Sequence, residues 1–309
     1  MNIIAVVVTI DRPLVLKACL ESLWNSSRRP DHAVVVDNGS VCPLSPPETY
    51  GAWVHVVRLN HNMGPAGGAA CGQRQALDLG ADWIWMVDDD AQAESDALSS
   101  LLTAQAKQPV SRTFFRSICV ESEHVERPFY NAFTYSRYSG LLKPIPRESY
   151  SQERFAFDAC GMAGLFISAT LLREIGVFDA SLYGWYDDTE FTLRATRAGF
   201  CGQSITASRL RHPMASRRTA HFLGRSFTVL ADKPERLYYG TRNCILTQRS
   251  MLSTIRFALV FMPIFSVRRF LTIVLLYNNR RAFLGCFIKG IFDGMHNRRG
   301  ELAQGGHTR

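Results

Sequence analysis

Trp83-Ile84-Trp85-Met86-Val87-Asp88-Asp89-Asp90 decides the reading of this chain: an apolar run opens without a break onto three carboxylates. An apolar run of that length, bounded by a polar turn, reads as a buried strand. The same pattern lies upstream. Ile3–Thr9 reads as a strand followed by a helix over Pro13–Ser26, with Leu16, Leu20, Leu23 and Trp24 at helical spacing. Ala33–Val36 is a strand ending in Asp37-Asn38-Gly39-Ser40. Val54–Leu59 is another, running into Asn62-Met63-Gly64-Pro65-Ala66-Gly67-Gly68 and a helix through Leu79. Short apolar strands alternating with helices specify an α/β fold, a mostly parallel Rossmann-like sheet flanked by helices. Ligands of such sheets collect at the carboxyl ends of the strands. Thr9, Arg12, Asp37, Asn62 and the aspartate triplet all fall there.

Downstream the pattern loosens. Residues 110–155, rich in aromatics and prolines, read as strands and loops flanking the site. Phe157 to Phe200 is more compact, with a helix over Ala169–Ile175 and Trp185-Tyr186-Asp187-Asp188-Thr189-Glu190 opening another to Ala198. The sequence divides at about residue 250 into a catalytic domain (1–250) and a C-terminal region (251–309).

With 47% hydrophobic and 20% charged residues, the 309-residue chain has the composition of a packed globular protein. Eight scattered cysteines without a CxxC pair argue against a disulfide framework or a zinc site, and point to reduced thiols in the cytoplasm. The apolar start lacks a basic leader and meets Asp11-Arg12-Pro13, so it reads as a strand and not as a secretory signal. Phe257 to Tyr277 contains Pro263 and is split by Arg268-Arg269, and is expected not to span a membrane. A net charge of +8 calls for an anionic partner. Most of the excess sits in residues 251–309, where nine arginines and lysines face only Asp293 and Glu301.

Adjacent carboxylates at a strand end repel, and a divalent cation with oxygen ligands removes that cost. Asp88 and Asp90 can face the same side and would meet a metal and a diphosphate; a solvated acidic turn or a helix cap is the plainer alternative. Among Asp187, Asp188 and Glu190, one carboxylate is either a helix cap or a general base against the aromatic wall of Trp185 and Tyr186. His212 gains meaning as a metal ligand only if the chain returns it to the triplet.

Taken together, Thr9-Ile10-Asp11-Arg12, Val36-Asp37-Asn38-Gly39-Ser40, Asn62-x-Gly64-x-x-Gly67-Gly68, Asp88-Asp89-Asp90 and Asp187-Asp188-Thr189-Glu190 resemble the inverting family 2 glycosyltransferases with a GT-A fold, over roughly residues 1–245. Within them the resemblance is strongest to bacterial and mycobacterial galactofuranosyltransferases, followed by rhamnosyltransferases. It implies that Thr9 and Arg12 line the nucleotide end of the donor site and that Asp37 receives the uracil or thymine edge. Asn62, Gly64 and the neighbouring glycines would lie near ribose and diphosphate, with Asp88, Asp89 and Arg74 as further donor contacts. Asp88, Asp90 and His212 would hold Mn²⁺ or Mg²⁺. Asp188 matches the catalytic base, while Trp185, Tyr186 and Asp187 would contact the acceptor. Asp11 departs from the family's usual Asn, and Arg242-Asn243 recurs without an assignable step.

The implied activity is transfer of galactofuranose from UDP-galactofuranose to a lipid-linked surface glycan such as a lipopolysaccharide O-antigen. The alternatives are rhamnosyl transfer from dTDP-rhamnose, or a nucleotide-sugar-binding protein without turnover. In the basic tail, Phe283, Leu284, Phe287, Ile288, Ile291, Phe292 and Met295 form a helical stripe beside three arginine pairs. That pattern suits core or interface packing, or an anionic membrane surface on the inner face of the cytoplasmic membrane. The basic residues follow this apolar tail and do not interleave with base-stacking aromatics, which argues against nucleic acid. A homo-oligomer stays open, and residues 296–309 are expected to be a disordered end.

Overall fold

The computed structural model describes residues 1–45, 48–107, 112–122, 124, 128–129, 131–213, 217–222, 225–230 and 233–302. Strand β1 (Ile3–Thr9) is the axis of the molecule, with helix α1 (Pro13–Trp24) following it. Strands β2 (His32–Asp37) and β3 (Val54–Arg58), helix α2 (Gly64–Asp78) and strand β4 (Trp83–Asp88) complete a parallel unit ordered β3-β2-β1-β4. The register pairs Thr9 with Asp37 and Val8 with Asp88, so the polar residue ending each strand reaches the same edge.

Residues 3–7 are wholly buried because both faces of β1 are covered. Successive side chains alternate between the two faces. Ile4, Val6, Val34, Val36, Ile84 and Met86 meet α2 on one face. Ile3, Ala5, Val7, Ala33, Val35, Trp85 and Val87 meet α1 and helix α3 (Ala97–Ala106) on the other. Two glycines of α2, Gly68 and Gly72, owe their size to this packing. A Cβ on Gly68 would strike Val8, and one on Gly72 would strike Val6 and Val36. Gly68 and Gly72 therefore make a close helix-on-sheet contact.

Strand β5 (Gln92–Ala93) follows the aspartate turn, and β6 (Thr113–Glu121) lies beyond it. The loosely patterned region holds β7 (Ala132–Tyr135), β8 (Leu142–Pro144), β9 (Arg154–Phe157) and β10 (Ala159–Cys160). Strand β11 (Leu165–Ser168) inserts antiparallel between β4 and β6, making the sheet mixed. Helices α4 (Ala169–Ile175) and α5 (Asp187–Arg197) cover it, and β12 (Cys201–His212) runs parallel to β6. The register of β12 shifts between Ile205 and Arg209; beyond the shift Leu210 and Arg211 pair with β5. A hairpin of β13 (Arg217–Phe222) and β14 (Arg225–Leu230) precedes helix α6 (Pro234–Met251).

The C-terminal region is helical. Helix α7 (Thr254–Arg256), a π-turn over Phe257–Phe261 and α8 (Met262–Leu276) form one continuous run, followed by α9 (Arg280–Met295). Pro263 does not break the run as expected. It falls in the first turn of α8, directly after the π-turn, where a proline is tolerated. Residues Thr254–Leu276 are therefore long and apolar enough to cross a membrane by length and composition, and little of the run is buried. Phe257, Phe261, Phe265 and Ile273 pack inward with Phe283 and Phe287, while Leu259, Val267, Phe270 and Leu271 stay exposed. The α9 stripe is split as well. Gly290 and Gly294 press the helix onto the α6 backbone, and Ile288, Phe292 and Met295 face outward.

The expected disorder from residue 296 is corrected up to residue 302. Arg299 pairs with Asp179 at 2.7 Å, and the Gly300 N–H donates to the Ser181 carbonyl at 2.7 Å. Residues 303–309 lie outside the described residues.

Candidate functional site

The first polar cluster is built by strand ends. Asp37 is completely buried. Its Oδ1 accepts the Ser40 N–H at 2.9 Å. Its Oδ2 has no hydrogen-bond partner, with the Arg58 guanidinium 3.6 Å away. A buried acceptor left open is costly unless something supplies the proton, and Asp37 has that character. Asp11, at a left-handed φ of 52°, accepts the Val41 N–H at 2.8 Å and so closes the neighbouring loop.

Thr9 donates to Asp89 Oδ2 at 2.6 Å, and Arg12 forms a fork on Asp89 while also reaching Asp90 at 3.1 Å. Asp89 is thus turned inward as the strut that holds Arg12. Burial pushes its carboxyl up, against the opposing pull of Thr9 and Arg12. Asn62 accepts the Gly64 N–H at 2.8 Å and an Asn38 amide hydrogen at 3.2 Å. Gly64, at φ 72°, abuts the Tyr183 carbonyl, tying the donor loop to residue 183. Arg74 is exposed ten residues along α2, roughly 15 Å from Gly64 at the helical rise per residue. It lies away from the strand-end cluster.

Asp88 and Asp90 meet His212. Its Nε2 lies 3.3 Å from Asp88 Oδ2 and 3.1 Å from Asp90 Oδ1. Its Nδ1 lies 2.7 Å from the Pro213 carbonyl. An Nδ1–H donated there orients the ring and turns Nε2 toward the two carboxylates. One ligand atom from each residue lies within 4.8 Å of the other two. Oxygen and imidazole donors of this kind suit Mn²⁺ or Mg²⁺. The cluster also holds positive charge: against the effect of burial, the bonds and charges of Asp88 and Asp90 raise His212 to about 11. Burial would raise Asp90, but His212 and Arg12 hold it below the usual carboxylate range.

The second acidic cluster sits on a strained loop. Tyr183, Trp185 and Tyr186 all have left-handed φ, at 65°, 54° and 77°. Such backbone persists only when its surroundings hold it. Asp187 and Asp188 begin α5. Asp187 is buried at 5% exposure, whereas Asp188 is half-buried and accepts the Thr189 N–H at 2.6 Å. A Cβ at Gly161 would sit 3.7 Å from Asp188 Oδ2, so the glycine leaves one side of the carboxylate open. Burial raises both carboxyls above their ordinary range, and Asp88 adds to both. The charge of Asp88 is thus near enough to act on both groups. Trp185 is exposed and stacked on Tyr239 at 6.0 Å. Tyr186 instead points its hydroxyl toward α6, where Gln248 donates to it at 3.3 Å.

Arg242 and Asn243, quoted from the sequence without a role, hold this loop. Both are completely buried. The Asn243 amide donates to the carbonyls of Leu182, Gly184 and Trp185 at 3.0, 2.7 and 2.8 Å. Arg242 reaches Leu182 and Gly300 at 2.7 and 2.6 Å, and Asn243 Oδ1 at 2.9 Å. The C-terminal segment adds a Tyr183 hydroxyl bond to Glu301 at 3.3 Å. Their recurrence in the family that the sequence resembles was the one signal that sequence reading offered for the clamp.

A family model described as Glycosyl transferase family 2 matches residues 4–166. The galactofuranosyltransferase GlfT1 of Mycobacterium tuberculosis (strain CDC 1551 / Oshkosh) is 32% identical over 252 residues, covering 78% of this chain and 80% of that protein. The dTDP-rhamnosyl transferase RfbF of Shigella flexneri is 24% identical over 299 residues, covering 95% of each. Among solved structures, S. aureus TarS 1-349 in complex with UDP-GlcNAc superposes with a TM-score of 0.57 at 15% identity, covering 96% of this chain and 82% of that one. At that identity the superposition speaks for the GT-A fold.

Proposed function

The chain belongs to glycosyl transferase family 2, and from that premise we propose that it is a metal-dependent inverting galactofuranosyltransferase. It takes UDP-galactofuranose as donor and a lipid-linked glycan as acceptor. The observation that supports the reading is the meeting of Asp88, Asp90 and His212, whose ligand atoms lie within 4.8 Å of one another, near enough to Asp187 and Asp188 for the charge of Asp88 to help raise both. Similarity to GlfT1 over most of both chains favours the galactofuranosyl donor. The RfbF alignment over 95% of each chain favours dTDP-rhamnose as the second reading.

Each residue then has a task. The open Asp37 Oδ2 accepts the N3–H of the pyrimidine, the proton its burial calls for. Arg12, held by Asp89, brings positive charge toward the donor end. Asp88, Asp90 and His212 would hold Mn²⁺ or Mg²⁺, whose chemistry is to neutralise charge on the departing diphosphate. Asp188, the more open of its pair, takes the proton from the acceptor hydroxyl as that oxygen attacks the anomeric carbon from the opposite face. A single displacement with a single base inverts the configuration. The Asn243 clamp keeps Trp185 facing the acceptor.

The exposed apolar face of residues 254–276, with the basic excess of the C-terminal region, supports peripheral attachment to the anionic inner face of the cytoplasmic membrane. The testing experiment is a donor panel of UDP-galactofuranose, UDP-galactopyranose and dTDP-rhamnose with a lipid-like acceptor, run with and without Mn²⁺. Metal-dependent transfer from UDP-galactofuranose is expected. Transfer from dTDP-rhamnose alone would establish the second reading, and metal-independent turnover would remove the role of the Asp88 cluster.

A further inference from the structure

A cavity of about 230 Å³ lies between the strained acceptor loop and the exposed apolar helix. Leu141, Tyr186, Phe261 and Phe265 give it apolar walls, and Arg268 and Arg269 stand at its side. Among the described residues neither arginine has a carboxylate partner, and Arg269 only lies over the Phe265 ring at 5.9 Å. Two unneutralised guanidiniums beside an apolar hollow match a phosphate attached to hydrocarbon. The hollow is smaller than the roughly 300–1,000 Å³ of a pocket that encloses a whole small ligand, so it suits one end of a longer molecule. Its wall includes Tyr186, two residues before Asp188, while Leu259, Val267 and Phe270 are exposed elsewhere on the same helical run.

We propose that this cavity is the subsite for the lipid-phosphate end of the acceptor: Arg268 and Arg269 bind the phosphate, and the first part of the hydrocarbon chain fills the hollow. The glycan carried by that lipid then extends along Tyr186 toward Asp188. The proposal deepens the lipid-linked-acceptor reading and rests on it. A bulk phospholipid headgroup would need no cavity beside the acceptor loop, which is why the acceptor's own lipid is the occupant assigned.

The test uses the full chain and farnesyl diphosphate as the probe, titrated by calorimetry in EDTA so that the Asp88 cluster cannot anchor the diphosphate through a metal. Saturable binding is expected. Arg268→Gln/Arg269→Gln should weaken it at least tenfold, as should Thr272→Trp, which fills the hollow without changing charge. Arg268 is exposed, Arg269 and Thr272 are partly buried, and unchanged melting temperatures verify folding. Inorganic diphosphate and farnesol should each bind at least tenfold more weakly than the joined molecule. Binding that survives both variants, or that disappears in Asp88→Asn, overturns the proposal. So does a double variant that loses phosphatidylglycerol vesicles while Thr272→Trp keeps full affinity for the probe, since the arginines would then serve only the bulk surface. Arginine-dependent probe binding in a protein that fails the donor panel leaves the subsite standing and removes the transferase reading.

Discussion

The two acidic clusters share a residue type and differ in everything that surrounds it. Asp88, Asp89 and Asp90 lie among Thr9, Arg12 and His212, and Asp90 is held below the usual carboxylate range. Asp187 and Asp188 have no cation against them among the described residues, and burial pushes both up. A carboxylate kept ionised serves as a ligand to positive charge, whereas one that desolvation makes eager for a proton serves as a base. The difference teaches that partners, and not acidity written in the sequence, divide the labour.

Four perturbations break or sharpen that contrast, in descending order of effect. Asp188→Asn removes the base and should lower transfer by ~10²–10⁴-fold, with UDP binding by titration unchanged; near-normal turnover would end its assignment. His212→Ala should weaken the metal requirement by at least the roughly 10–100-fold seen when a supporting group of a metal site is lost. This is read as the Mn²⁺ concentration for half-maximal rate, and an unchanged value would take His212 out of the ligand set. Asn243→Ala takes the side-chain donor from the Gly184 and Trp185 carbonyls, while Leu182 keeps Arg242, and should cost ~1–3 kcal/mol. The melting temperature should fall together with kcat, and loss of neither would show that the loop holds itself.

Asp187→Asn, the mildest change, concerns pH. Asp188 must be ionised to accept a proton, so its raised affinity confines activity to pH above that raised value, and the rate falls as pH drops through it. Asp187 is raised to about 8 and so is uncharged where Asp188 titrates, and its replacement should leave this acid limb in place. A limb that moves would show that the two carboxylates share one titration.

The parallel unit was legible because each strand's apolar run and polar end are local facts. Val36-Asp37 and Val87-Asp88 show where chain leaves core for solvent, and the pairing of Thr9 with Asp37 puts those ends on one edge. The glycines of residues 64–72 were legible as a need for small residues but not as to what approaches, because valines of β1 lie far away in sequence. The Arg242-Asn243 pair could be seen but not interpreted, since its partners are backbone carbonyls, which every residue carries.

By itself the sequence determined the alternation of strands and helices, the strand-end positions of the carboxylates and the basic apolar tail, because these follow from chain-local periodicity and chemistry. Tertiary structure alone decided that His212 returns to Asp88 and Asp90 across the register shift of β12. It also decided that Asp188 stays partly open while Asp187 closes, and that residues 299–302 fasten the acceptor loop. Those outcomes depend on burial and on contacts between residues far apart in sequence, and desolvation is a property of the folded surroundings.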